Sequence, residues 1–531
     1  MRNIIPIILL SSTALFTSCD KDFLDQQYKD QFNDNGSFLT SEKEATQALT
    51  GVYNGWEAGD YVFYLDCVSD NAFNYHAHEG YQALGNGTAT PTASGAAGGR
   101  FSYVTIRKAN WFLENITKAE MNESTKKRYI AEARVIRAYR YLDLAILFKN
   151  VPLVTKVLPL DETLQESNTQ QEILDFVVVE LTEAAADLPL TYGAADKGRF
   201  TKGAALGFKA RALAYQNKHD DVIRVTDEII GLGQYSLFAD YAGLFEISNE
   251  NNAEILSDVQ YIENIQGYTN LGVILPNSLG GWGSIVPTQN LVDAYQTAAG
   301  KFIDEASSGY LATNPYVNRD SRLTKTVVYP GQLYADKYHD PLSPSSDDYS
   351  QGKDNASKTG YNFKKYIQSP KSFANVWNVG SNIIVQRYAE ILLLNAEAKI
   401  EADKIDNSVY SNLNLVRNRA GLPDVDQAVY NSKAPLQKLV RNELRVELAG
   451  EGRRFFDLVR WKTAEVVMKL PVQGTFKSGT VNQTTGAVTY TSTERNTVEN
   501  RTFDPAKNYF WPIPQSVIDN SKGAITQNAN Y

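Results

Sequence analysis

The run Tyr129–Phe148, YIAEARVIRAYRYLDLAILF, decides the fold. Ala131, Val135, Ala138, Leu142 and Ala145 recur at intervals of four and three, which on a helix align as one buried stripe. Glu172–Leu188 repeats the habit and stops at Pro189, whose ring cannot continue the hydrogen-bond ladder. Gly203–Gln216 sets Leu206, Ala210 and Leu213 on one face, and Asp220–Leu232 reads as its antiparallel partner. Tyr388–Ala402, Ser408–Ala420, Pro435–Ala449 and Phe455–Leu470 are helical by the same criterion. Small residues alternating with large ones let helices approach closely, as in tetratricopeptide-type pairs, although no segment reproduces that consensus. The alternating β and α units of a TIM barrel or a Rossmann fold are not visible. The expectation is a mainly α protein: tetratricopeptide-like helix pairs forming an α/α superhelical scaffold, with a long irregular, loop-rich binding subdomain.

Working outward, Ser41 and Glu44 have capping-box spacing ahead of a helical face made by Ala45, Ala48, Leu49, Val52, Tyr53 and Trp56. The helical scaffold is then expected over about 41–58, 104–235 and 384–470. Irregular blocks fill about 59–103, 236–383 and 471–505, and within the last, Thr480–Thr491 reads as a β-hairpin. Long loops on a rigid scaffold are a common design for a binding face.

The start of the chain speaks of location. Arg2, the apolar run Ile4–Phe16 and the small residues before Cys19 read as a signal peptide over 1–18, too short to span about 30 Å of hydrocarbon. Thr17-Ser18-Cys19 resembles the lipobox of bacterial lipoproteins, which makes Cys19 the expected lipidated N-terminus and 19–40 a tether; the alternative is an ordinary signal peptide with an incidental cysteine. With Cys19 lipidated, Cys67 is the one other cysteine, so neither a disulfide framework nor a cysteine-rich zinc site is expected. A hydrophobic content of 43% and a charged content of 21% are globular values, and a net charge of −9 disfavours nucleic acid as a partner.

Catalytic chemistry finds little support. No His-Glu-x-x-His, Gly-x-Ser-x-Gly or phosphate-binding glycine loop occurs, so no catalytic residue, metal or cofactor is assigned. His76 and His78 flank one residue but lack a third ligand nearby, and read as an exposed loop pair. Arg441, Glu443, Arg445, Glu447, Glu451, Arg453 and Arg454, with Arg134, Arg137, Glu390 and Glu397, read as ion pairs that fix helix packing. Better binding candidates stand in the irregular blocks, where aromatics beside carboxylates and amides offer a ligand stacking faces and hydrogen-bond partners. Asp66, Asp70, Asn71, Phe73 and Tyr75 offer that mixture, and Trp282 stands between glycines in Gly280–Ser284, outside every helical stripe.

Several blocks resemble the SusD/RagB proteins of Bacteroidetes. They are Ala131–Tyr139 through Pro152-Leu153-Val154, Gly198–Ala205 (GRFTKGAA), Arg387–Ala398, Asn414–Gly421 (NLVRNRAG), Arg441–Trp461 and the ending Phe510–Gln515 through Gln527-Asn528. They run in family order over nearly the whole mature chain. The resemblance implies a lipid-anchored outer-membrane protein, facing the extracellular side, that captures a glycan and sits over a SusC-type TonB-dependent transporter without catalysis. It also implies that loops around Asp66–Tyr75 and Trp282 converge on the ligand face. Alternatives left open are a peptide receptor of the RagB type, a surface glycoside hydrolase and a scaffold subunit of the transporter.

Overall fold

The computed structural model describes residues 38–531, so the expected signal peptide, Cys19 and most of the tether lie outside the described residues. The capping box forms as the spacing requires. Ser41 accepts the Glu44 N–H, and the Glu44 carboxylate accepts the Ser41 N–H, opening α1 (Glu42–Tyr53). After α2 (Gly59–Cys67) and α3 (Val104–Asn115) comes the longest helix, α4 (Glu123–Phe148), started by Asn122 accepting from Ser124 and Thr125. Its second half is buried on almost every side, because α3 and α5 (Gln170–Asp187) both pack against it. Next along the chain, α6 (Lys202–Tyr215) packs on α5 and then on α7 (His219–Gly231).

The chain returns to the scaffold at α8 (Tyr388–Glu401), which packs on α7, α9 (Asn407–Arg419) and α10 (Lys433–Glu447). This succession of neighbouring helix pairs is the expected mainly α scaffold. No helix among the described residues is long and apolar enough to cross a membrane.

Two expectations fail locally. The 59–103 block holds α2, whose residues Tyr61 to Cys67 are all buried; a helix covered on all sides has no polar face and therefore no sequence period to detect. The single helix expected over Phe455–Leu470 is broken into α11 (Arg454–Arg460) and a short turn, Ala464–Val467, because Lys462 takes a left-handed φ of 56° between them.

Strands in the described residues form only two-stranded antiparallel ribbons. β1 (Ala72–Asn74) pairs with β3 (Ile285–Pro287), and β2 (Ile255–Val259) with β4 (Ile383–Arg387), the strand that runs directly into α8. β5 (Val472–Phe476) pairs with β8 (Arg495–Glu499), and between them β6 (Gly479–Val481) and β7 (Val488–Tyr490) make the expected hairpin.

Charged residues of the 441–454 block are paired, and Glu443, Glu447, Glu451 and Arg454 are buried. Arg387 and Arg322, both without solvent exposure, share Glu447 and reach Glu254, Glu451, Glu443 and Asp320 at 2.6–2.9 Å. Such a network ties β4 and the irregular middle of the chain to α10. Removing one partner from a pair of this kind typically costs about 3–5 kcal/mol, because the other charge is left buried and uncompensated.

Candidate ligand site

The ribbon of β1 and β3 builds the site. Phe73 lies opposite Val286, and one residue beyond the ribbon the Tyr75 N–H donates to the Ser284 carbonyl at 2.9 Å. That pairing joins two loops distant in sequence and brings His76 Nδ1 within 2.6 Å of the hydroxyl of Ser284, 208 residues away.

The Trp282 loop is pinned from behind. The N–H groups of Trp282, Gly283 and Ser284 donate to the carbonyls of Gly272, Leu275 and Val273 at 2.8–3.1 Å. With the backbone held on one side, the indole projects outward and is 41% exposed. Gly283 adopts φ +48° and lies so close to the loop 355–357 that a Cβ would stand 2.8 Å from the Ser357 nitrogen. On the other side Trp377 lies across Gly272, where a Cβ would meet its ring at 2.3 Å.

The result is a run of rings at the surface. Trp377 and Trp282 have centroids 4.8 Å apart, His76 stands edge-on to Trp282 at 6.3 Å, and Tyr75 and His78 flank His76 at 4.9 and 5.7 Å. Lys358 places its ammonium 4.4 Å from the centre of the Tyr75 ring. A depression of about 300 Å³ adjoins the loop, lined by Ser278, Leu279, Tyr338, Asp347 and Asp348 among others. Its floor is ordered by the Ser278 hydroxyl donating to Asp348 at 2.6 Å and by His339 Nδ1 at 3.4 Å from the same carboxylate. Burial alone would raise the Asp348 pKa, but these two partners outweigh it and hold the carboxyl below its usual range. Rings with a few polar groups converging on them are the usual lining of a small-molecule site. Among the described residues no three His, Cys, Asp or Glu side chains are grouped to hold a metal ion.

Of the six residues nominated from sequence, Trp282 and Tyr75 meet here. The other four do not reach the surface, and the nomination is corrected for each. Asp66 is fully buried and accepts the N–H of Gly450 at the end of α10; burial pushes its pKa up to about 7, against the pull of that N–H and of Lys365. Asp70 is buried between Arg454 at 2.7 Å and Arg445 at 3.0 Å; burial would raise its pKa, but the two cations drive it well below the carboxylate range. Asn71 accepts from Arg445 at 2.8 Å. Phe73 packs with Val286 and Val472 in a small separate apolar cluster. These residues clamp the α2–β1 segment to the C-terminal helices and so position Tyr75.

Sequence reasoning missed three contributors. From sequence His76 reads as one of an exposed pair, Trp377 sits in an Asn-rich loop without a distinguishing pattern, and Lys358 carries no local signal at all.

Comparison with known proteins agrees with this architecture. The model of the SusD family matches residues 243–531, more than half the chain, and a second one, described as starch-binding and associating with the outer membrane, matches residues 22–213. A SusD-like carbohydrate-binding protein from Bacteroides fragilis superposes with a TM-score of 0.83 at 31% identity, covering 92% of this chain and 99% of that one. SusD-like protein P38 of Formosa agariphila is 25% identical over 88% of this chain and 93% of its own length. A surface glycan-binding protein of Bacteroides thetaiotaomicron, solved with laminarihexaose, shares the fold with a TM-score of 0.67 at 21% identity, over 93% of this chain and 100% of that one. With a family match over half its length and helix pairs in the same arrangement as these structures, the chain belongs to the SusD family.

Proposed function

We propose that the protein is a glycan receptor of the outer membrane, anchored through Cys19, facing outward, and delivering oligosaccharide to a SusC-type TonB-dependent transporter without cleaving it. The observation that carries this reading is the exposed Trp282 ring, backed by the half-buried Trp377 and with His76 at its edge, on a loop whose backbone is held from behind. Sugar rings stack on such surfaces, and the neighbouring loops supply amides and hydroxyls for their edges. Asp70 and Glu447 are engaged in ion pairs inside the body, as structural carboxylates are.

Calorimetry of the intact protein against a glycan and peptide panel tests the reading. Truncating an aromatic anchor typically costs at least about 2 kcal/mol, roughly thirtyfold in affinity. Trp282→Ala should therefore lose glycan binding on that scale while unfolding at nearly the wild-type midpoint. Release of reducing sugar from any bound polysaccharide would refute the non-catalytic part, and binding to peptides alone would replace the glycan part. Recovery of a stoichiometric β-barrel protein from mildly solubilised outer membranes is the expected result for the partner, and recovery of this chain alone would count against it.

A further inference from the structure

One cation at this surface lacks a close counter-ion. The chain carries a net charge of −9, and two carboxylates near the rings are engaged by other neighbours. Glu79 accepts from the Asn74 amide, and Asp348 is taken by Ser278 and His339. Lys358 is left as the cation of the ring surface. It is half-buried, and among the described residues no carboxylate lies within ion-pair distance of it. One N–H donates to the Lys353 carbonyl at 2.5 Å and the ammonium faces the Tyr75 ring, which leaves donor capacity unused. Its position is fixed, since the Lys358 carbonyl accepts from Asn496 at 2.8 Å and the preceding residues abut Gly283 in the Trp282 loop. Burial lowers its pKa, with partial relief from Asp354 in the same loop, as expected of an ammonium that lacks a close counter-ion.

We infer that the site takes sugars bearing an anionic group, a carboxylate or a sulfate ester, with the ring on Trp282 and Trp377 and the anion on Lys358. An entering anion supplies the counter-ion that the fold withholds, whereas a neutral sugar leaves the ammonium as it is. The carboxylate of a uronic acid and a sulfate ester present the same chemistry, acceptor oxygens with negative charge, and Lys358 as a single point charge would receive either.

The inference rests on the glycan-receptor reading, and the experiment separates the two. Calorimetry of the full-length protein is run with oligogalacturonides, the same oligomers after carboxyl reduction, sulfated galactan oligomers and their desulfated forms. At least one charged member should bind about tenfold tighter than its neutralised counterpart, the order expected of one charge-assisted hydrogen bond. Which charged member does so identifies the anion. Lys358→Met should cost the charged members about tenfold more than their neutral counterparts and so erase the preference, Lys358→Arg should restore it, and Trp282→Ala should weaken both classes. Equal or better binding of the neutral forms, or an equal loss on both classes in Lys358→Met, overturns the anionic assignment while the receptor reading stands. Absence of binding to any glycan, charged or neutral, overturns both.

Discussion

Asp66→Asn should make the protein more stable, and more so as the pH rises. Asp66 has no solvent exposure, one of its oxygens has no partner among the described residues, and its pKa is raised from 3.8 to about 7. Between those two values the folded protein holds a proton that the unfolded chain has released, so unfolding free energy falls as pH rises. The contribution is fully present below about pH 3.8 and gone above about pH 7. A little over three pH units at about 1.4 kcal/mol each amounts to about 4 kcal/mol. The asparagine side chain has no proton to lose, and its amide oxygen can accept the Gly450 N–H as the carboxylate does.

Urea unfolding of both proteins from pH 4 to 9 measures the difference. Subtraction removes Asp258, whose pKa burial also raises to about 7 and which titrates alike in both proteins. The stability of Asp66→Asn minus that of wild type should climb through the range from pH 4 to 7 and level off above it. A difference that stays flat would mean that Lys365 keeps Asp66 ionised throughout, and the argument from burial would fail.

Other outcomes follow from the same geometry. Asp70→Asn leaves Arg454 and Arg445 without their carboxylate, and should destabilise urea unfolding by about 3–5 kcal/mol near neutral pH. Because the folded pKa of Asp70 is depressed, that loss should shrink as the pH falls through the carboxylate range; a loss under about 1 kcal/mol at neutral pH would show the pair to be dispensable. Gly272→Ala, at an ordinary φ, should displace Trp377 and weaken glycan binding by about as much as Trp377→Ala, with no added loss in the double variant. Additive losses would mean that the two residues act separately. Cys19→Ala should release the protein from the outer membrane, since stable anchoring needs more than one acyl chain; mass spectrometry finding an unmodified N-terminus on the wild type would end the lipidation proposal.

The helical scaffold was legible in the residues. The stripes in 172–188, 203–216 and 388–402 reappear as helices close to those limits, and that in 129–148 lies inside the helix Glu123–Phe148, because helical periodicity records neighbours three and four positions apart in the same segment. The Ser41 cap and the 479–490 hairpin were legible for the same reason: their partners are local. The exposure of Trp282 was legible too, through its flanking glycines and the lack of periodic apolar company. Tertiary structure alone decided the rest. Asp70 reads as a surface carboxylate until Arg454, 384 positions away, closes over it, and nothing near Asp70 announces that partner. His76 joins Trp282 only because β1 pairs with β3, and Lys358 enters only because its loop fits against a glycine that leaves room for it. The physical reason is one of range. Segmental burial writes a period into neighbouring residues, whereas the burial of a charge and the convergence of loops depend on contacts between segments that share no period.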